Sequence, residues 1–220
     1  MSGYDTTGPL DARIAIHAYG TNPVSWYAFV RALLPPARTL LEAGAGTGAL
    51  WAGGAPEGLV ASDLSAAMCD ALRQRGLRAV RADAAALPFR DGAFGGAVCN
   101  HVLYHLGDPR RGLAELRRVV RDGGWVAVAT NGTGHMAEIT AAGAHDRFPA
   151  ERLAEAMAEH FAGVTLHRYD DTLLVPTADP VLAYAASLGA VADRAEVEAV
   201  IAREGAFRIR KNTVLAIARR

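Results

Sequence analysis

Apolar positions along the chain fall into two regimes: short continuous runs closed by an acid or a glycine, and longer stretches with helical spacing. Leu40-Leu41-Glu42-Ala43, Leu59-Val60-Ala61-Ser62, Ala79-Val80-Arg81-Ala82, the run Phe94 to Cys99 and Trp125-Val126-Ala127-Val128-Ala129 read as buried strands. Residues 11–19 predict one short helix, and Asn22-Pro23 opens another with Trp26, Phe29, Val30 and Leu33 at helical spacing, stopped by Pro35-Pro36. A helix after Gly48 is cut short by Gly53, Gly54, Pro56 and Gly58. Ser65 fits the N-cap of a helix to about Arg75, with Gly76 as its stop. Asp108-Pro109 starts a helix with Leu113, Leu116, Val119 and Val120 on one face, ended by Gly123-Gly124. Farther on, the pattern predicts helices near 136–143 and 148–160, a strand over 164–176, helices near 179–188 and 193–204, and a strand over 207–218. Strands alternating with helices predict an α/β fold, a doubly wound and mostly parallel sheet with one antiparallel strand near an edge.

Composition narrows the class. At 220 residues the chain fits one domain, and no internal repeat or linker divides it. Apolar residues are 51% of the chain without an unbroken apolar stretch long enough for a membrane span. The first residues lack the basic and apolar segments of a signal peptide, which predicts a cytoplasmic protein. With 23 basic and 23 acidic residues the net charge is zero, so a nucleic-acid partner is disfavoured. Cys69 and Cys99 read as reduced core thiols. Arginine supplies every basic residue except Lys211, a bias of GC-rich, bacterial coding.

Candidate chemistry begins at Glu42-Ala43-Gly44-Ala45-Gly46-Thr47-Gly48, where three glycines at alternate positions follow a strand that ends in an acid. Glycines let main-chain N–H groups approach a ligand closely, as nucleotide-type cofactors require. Gly44, Gly46 and Ala49 also satisfy the relaxed dinucleotide fingerprint, which leaves an NAD(P)-dependent oxidoreductase as an alternative. Glu42 argues against it, because a carboxylate there repels a pyrophosphate and suits a cationic ligand. The run resembles the first motif of class I S-adenosylmethionine-dependent methyltransferases. From Asp83 to Val128 the order of D-A-x-x-L-P-F, x-H-V-L-x-H-L and L-x-E-x-x-R-V-x-x-x-G-G resembles the subfamily that includes the ubiquinone- and menaquinone-biosynthesis enzymes. The acid usual after the Phe that opens the fourth strand is Gly95 here, a loosened strand start. The likeness covers residues 38–130 by motif and the remainder by topology.

That resemblance implies a Rossmann-like sheet of seven strands in a single domain. Residues 1–36 would form a helical lid, 37–130 the cofactor-binding core, and 131–220 a substrate-shaping segment with a terminal strand pair. It also implies S-adenosylmethionine as cofactor and S-adenosylhomocysteine as product. Gly44, Ala45 and Gly46 would cradle the ligand. Asp63 falls where a carboxylate accepts two ribose hydroxyls, and Leu64 follows it. Asp83 and Ala84 fit an adenine clamp, the carboxylate accepting from the exocyclic amine and the following N–H donating to a ring nitrogen. The bland role for Asp83 is to cap the next turn. Met68 lies near the adenine or fills the core, Asn100 closes the fourth strand, and Tyr4 or Tyr19 covers the cofactor or anchors the first segment.

Methyl transfer to an O–H or a protonated amine also needs a base. His101, His105 and His135 lie in loops after the fourth and fifth strands, with Tyr104 as an orienting group. Histidine suits the task because it titrates near neutrality, though any one of them can simply bond a carbonyl. His101 and His105 at i, i+4 lack the Glu of H-E-x-x-H and a third ligand, so no metal is expected. His17, His145 and His160 read as surface or packing residues. Asn100 is not followed by Pro-Pro-aromatic, which disfavours a nucleic-acid base or a protein glutamine and leaves a small-molecule acceptor. A further alternative is a module that binds the cofactor and moves no methyl, as a sensor or a recruited cyclase.

Overall fold

The computed structural model describes residues 6–139 and 147–220. Seven strands form one sheet: β1 (Leu40–Ala43), β2 (Leu59–Asp63), β3 (Ala79–Arg81), β4 (Phe94–Asn100), β5 (Val120–Asn131), β6 (Ala162–Val175) and β7 (Phe207–Arg219). Their order is β3-β2-β1-β4-β5-β7-β6, with β1 to β5 parallel and β7 antiparallel to both neighbours. The helices are α1 (Gly8–Ala15), α2 (Trp26–Leu33), α3 (Ala66–Gln74), α4 (Pro109–Val119), α5 (Leu153–Ala158), α6 (Ala178–Ser187) and α7 (Arg194–Glu204). No helix among the described residues is long and apolar enough to cross a membrane.

Alternation along the strands divides the core between the two faces. Leu41, Ala97, Cys99, Val126, Val128 and Ala216 pack with Leu113 and Leu116 of α4 and Leu153 of α5. Leu40, Val98, Ala127, Ala129 and Leu215 pack with Trp26 and Val30 of α2. A third cluster joins Ile16 to α6, α7 and the far ends of β6 and β7. The sheet winds one way from β1 to β3 and the other way from β4 onward, so its switch point lies between β1 and β4. Crevices at such points, beyond the carboxyl ends of the strands, hold ligands.

Several boundaries differ from the sequence reading. α1 starts at Gly8 and gives way to a 3-10 turn over Ile16–Tyr19. The element after Gly48 is a single 3-10 turn, Ala49–Trp51, as its glycines and proline imply. α4 stops at Val119, and β5 already begins at Val120. Residues 133–139 form turns, and the rest of the helix expected over 136–143 lies outside the described residues, as do Tyr4 and His145. The helix expected over 148–160 is a 3-10 turn followed by the short α5. Gly95 sits at a register shift between Phe94 and Gly96, and its N–H reaches both Oγ1 and the carbonyl of Thr39. The loosened strand start is a bulge.

Candidate cofactor and acceptor site

The glycine turn is built by the backbone angles its sequence allows. Gly44 and Gly46 have φ of +73° and +55°, and a Cβ on Gly44 would collide with the side chain of Val102. A Cβ on Gly46 would lie 2.8 Å from Leu10 Cδ2, so α1 covers the turn directly. The N–H groups of Gly44 and Ala45 both donate to the Ser62 carbonyl, at 2.8 and 2.9 Å. Asp63 then fixes the outer edge. Its Oδ2 accepts from Gly46 N and its Oδ1 from Ser65 N, both at 2.9 Å. Each oxygen keeps a lone pair for a further donor.

Glu42 faces the α2 side at the root of the turn. It is 2% exposed and accepts a 2.6 Å bond from Trp51 Nε1. Burial pushes its carboxyl up to about 8, the Trp51 bond opposes the rise, and nearby Asp63 adds to it. Tyr27 is likewise pushed up to about 12 by burial, with Glu42 contributing. Leu64, by contrast, is 62% exposed, a large apolar side chain next to Asp63.

Asp83 stands two residues beyond β3 and is exposed. Its Oδ1 accepts from Ala85 N at 2.8 Å, so it does cap the turn, with the other oxygen left to face outward chemistry. The loop that follows is clamped from α4. Glu115 Oε2 accepts Leu87 N at 2.7 Å, while Arg118 donates to the carbonyls of Leu87 and Phe89 at 2.8 and 2.7 Å. Arg118 in turn holds the Glu115 carboxyl below the usual range. The L-x-E-x-x-R spacing thus serves to hold the loop that follows Asp83.

At the tip of β4, Asn100 Oδ1 accepts from Trp26 Nε1 at 3.1 Å. His101 follows with φ of +61°, a left-handed backbone uncommon outside glycine, and its N–H donates to the Ala129 carbonyl. Its ring lies 5.5 Å from that of Trp26 and 6.4 Å from that of Tyr104, which stands 4.4 Å from His105. His101 and His105 therefore share one aromatic string beside β4, with His105 exposed. His135 belongs to a different neighbourhood. It is 7% exposed, and its Nδ1 meets the main chain of Asn212 in β7, 3.0 Å from the carbonyl and 3.2 Å from the N–H.

Three residues whose roles the sequence left open are packing residues. Met68 is fully buried and fills the core, because the first turn of α3 directs it inward. Tyr19 packs with the cluster of Ile16, Leu173 and Val181, so it anchors the first segment while Leu10 overlies the turn. His17 is more than a surface residue: its Nδ1 is buried without a hydrogen-bond partner among the described residues. Burial holds its ring down to about 3, with the charges of Lys211 and His135 contributing. The contacts of Trp51 with Glu42, and of Asp171 with the segment before α2, carry no motif in the sequence. Ala45 and Ala84 are both 8% exposed. Among the described residues no group of three or more His, Cys, Asp or Glu is arranged to hold a metal.

Residues 41–128 match the family model described as Methyltransferase domain. This part of the chain is a methyltransferase domain. A demethylmenaquinone methyltransferase of Clavibacter sepedonicus is 34% identical over 135 residues, which cover 58% of this chain and 53% of that protein. The chain spans about half the length, or less, of the curated relatives it matches. Among solved structures, a SAM-dependent methyltransferase of Thermotoga maritima, named as a possible histamine N-methyltransferase, superposes with a TM-score of 0.62 at 17% identity. The superposition covers 96% of this chain and 93% of that one. The [4+2]-cyclase SpnF matches with a TM-score of 0.62 at 20% identity over 98% and 93% of the two chains. The methyltransferase domain thus sits in the class I methyltransferase fold, and the two structural likenesses speak for the fold alone.

Proposed function

We propose that the chain transfers a methyl group from S-adenosylmethionine to an oxygen or nitrogen of a small acceptor in the cytoplasm. The observation that carries this reading is the glycine turn at the switch point, fixed by Asp63 from outside and rooted on the buried Glu42. When bound, S-adenosylmethionine supplies a methyl on a sulfonium that leaves with the bonding pair. Glu42 offers latent negative charge to a cation, since a positive ligand lowers its proton affinity. Asp63 receives the ribose hydroxyls, Leu64 gives apolar surface to the adenine, and the outer oxygen of Asp83 and the Ala84 N–H read its edge. Gly44, Ala45 and Gly46 let the main chain approach, and Asn100 borders the same crevice.

His101 is the group best placed to take the acceptor proton. Its left-handed backbone is held by Ala129 and its ring by Trp26, the kind of local strain that clusters at working sites. His105 stands behind Tyr104 on the same string, and His135 lines the β7 side. Residues 1–36 act as the lid, with α1 over the glycine turn. Positioning the acceptor close to the methyl and in line supplies much of the rate enhancement. Zero net charge favours a small molecule over a nucleic acid. The curated relatives are named for a quinone-type acceptor, which supports a small-molecule substrate of some kind here.

Incubation with methyl-labelled S-adenosylmethionine and a metabolite extract tests the reading. Label should enter a product heavier than its precursor by one methylene unit. A second reading keeps the cofactor and moves no methyl, and the fold shared with a protein named a cyclase favours weighing it. Tight cofactor binding with no label in any product selects that second reading.

A further inference from the structure

Lys211 is the only lysine in the chain. It lies in β7 two residues before Thr213, whose partner Asn131 ends β5, so it stands above the carboxyl end of the sheet. Its side chain is 5% exposed, with the ammonium 4.0 Å from Asp171 Oδ2 and 5.2 Å from the centre of the Tyr169 ring. The Asp171 distance exceeds hydrogen-bond length. Among the described residues no acceptor reaches the three N–H donors of this ammonium.

Asp171 is committed elsewhere. Its Oδ1 accepts from the N–H groups of Thr21, Asn22 and Thr172 at 3.0, 2.9 and 2.8 Å, pinning the segment before α2 to the β6–β7 hairpin. Those three donors spread part of its charge. A purely structural buried pair closes to a short charge-assisted bond, because only that offsets the loss of hydration. The Lys211–Asp171 pair stays open.

The neighbours on the other elements are polar, and several carry charge. His17, on the 3-10 turn Ile16–Tyr19, has its buried Nδ1 without a hydrogen-bond partner among the described residues. His135 approaches from the turns after β5, close enough that both it and Lys211 act on His17. Tyr169 presents its ring from β6, and Arg210 flanks on β7, paired with Glu138. Burial pushes the Lys211 ammonium down to about 8, with Asp171 opposing the fall. Asn22, Thr133, Asp170, Asp171, Arg210 and Lys211 border a groove of about 730 Å³, within the size range of small-molecule sites.

We propose that Lys211 anchors a carboxylate of the methyl acceptor, in a subsite between the turn at 16–19, the turn at 133–136 and the β6–β7 hairpin. The proposal rests on the methyl-transfer reading for the word acceptor. One ammonium beside a partly neutralised carboxylate and two imidazoles matches a monoanion, whereas a phosphate dianion would face Asp171. β7 is two strands from β4, and strands lie about 4.8 Å apart, so the carboxylate sits on the order of 10 Å from the tip where His101 stands. The acceptor is therefore acidic at one end and nucleophilic at the other.

A lone lysine makes the test specific. Protein carrying isotope-labelled lysine gives a single side-chain ammonium signal in a nuclear magnetic resonance spectrum, and para-hydroxyphenylpropanoate is the probe, with its amide as a control of the same shape. Up to about 10 mM of the acid should shift the signal saturably and raise its titration midpoint by about one pH unit, while the amide does neither. An unmoved signal, or equal effects of acid and amide, overturns the subsite. The acid should also raise the melting temperature of the wild-type protein but not of Lys211→Met. If that variant fails to fold, the wild-type spectrum still decides. S-adenosylhomocysteine is titrated by calorimetry into the same protein: absent binding there sinks the methyl-transfer reading, while the lysine signal answers for the carboxylate alone.

Discussion

Glu42 is a carboxyl buried beneath the turn it serves, and its titration is the clearest single-residue signature available. The folded protein keeps its proton to about 8, while the unfolded chain releases it near 4.5. Between those values the native state binds more protons than the unfolded one. Its contribution to stability is therefore complete below 4.5 and is lost as pH rises through 8. Glu42→Gln keeps an oxygen for Trp51 and removes the titration, so urea melts should find the variant gaining on the wild type as pH climbs from about 4.5 to 8 and levelling off beyond. Binding of a cation should expel the Glu42 proton near neutral pH, which makes the heat of S-adenosylmethionine binding depend on the ionisation enthalpy of the buffer. Asp63→Ala strips Gly46 and Ser65 of their acceptor as well as the ribose, and calorimetry should find cofactor affinity down at least about tenfold, roughly 1.4 kcal/mol. His101→Asn tolerates the left-handed backbone and removes the imidazole. Turnover should fall on the order of 10²-fold with cofactor affinity unchanged. An equal loss in both quantities would assign His101 to binding instead. Glu42 and Asp63 were legible as acids closing apolar runs. Met68 was not, because which side of α3 it occupies depends on how that helix docks.

The strands and helices that carry the motifs were legible from apolar runs, caps and glycine breaks, and the 3-10 turn after Gly48 follows from Gly53, Gly54 and Pro56. Less legible was why the Glu115 and Arg118 spacing exists. On α4 the two side chains grip three main-chain groups of Leu87 and Phe89, fixing the loop that follows Asp83. Arg118→Met keeps the stem length and removes those bonds, leaving Glu115 unpaired. It should lower the melting temperature, at a cost on the order of 2 kcal/mol, and weaken cofactor binding without altering the proton-transfer step. Normal affinity in a folded variant would reduce this clamp to a purely local brace. The end of α4 at Val119 was displaced from its sequence-based limit because strand pairing, not local propensity, sets it.

Across the chain, the crevice is assembled from segments far apart in sequence, and periodicity carries no information about such pairs. Asp171 holds the main chain of Thr21 and Asn22 from about 150 residues away, Leu10 overlies Gly46, and Tyr169 OH donates to the Val24 carbonyl at 2.7 Å. The first segment is thus tied to the last hairpin. Seven strands in the order β3-β2-β1-β4-β5-β7-β6 bring Glu42, Asp63 and Asn100 to the carboxyl ends at the switch point, with Asp83 just past β3. The whole interpretation stands on that end of the sheet receiving a cationic adenosyl ligand. Calorimetric titration of the wild-type protein and Asp63→Ala with S-adenosylmethionine, with an oxidised nicotinamide dinucleotide as control, decides it. Saturable heat with S-adenosylmethionine, at least about tenfold weaker in the variant and absent with the dinucleotide, is the expected outcome. No heat with S-adenosylmethionine, or identical affinity in the two proteins, contradicts it.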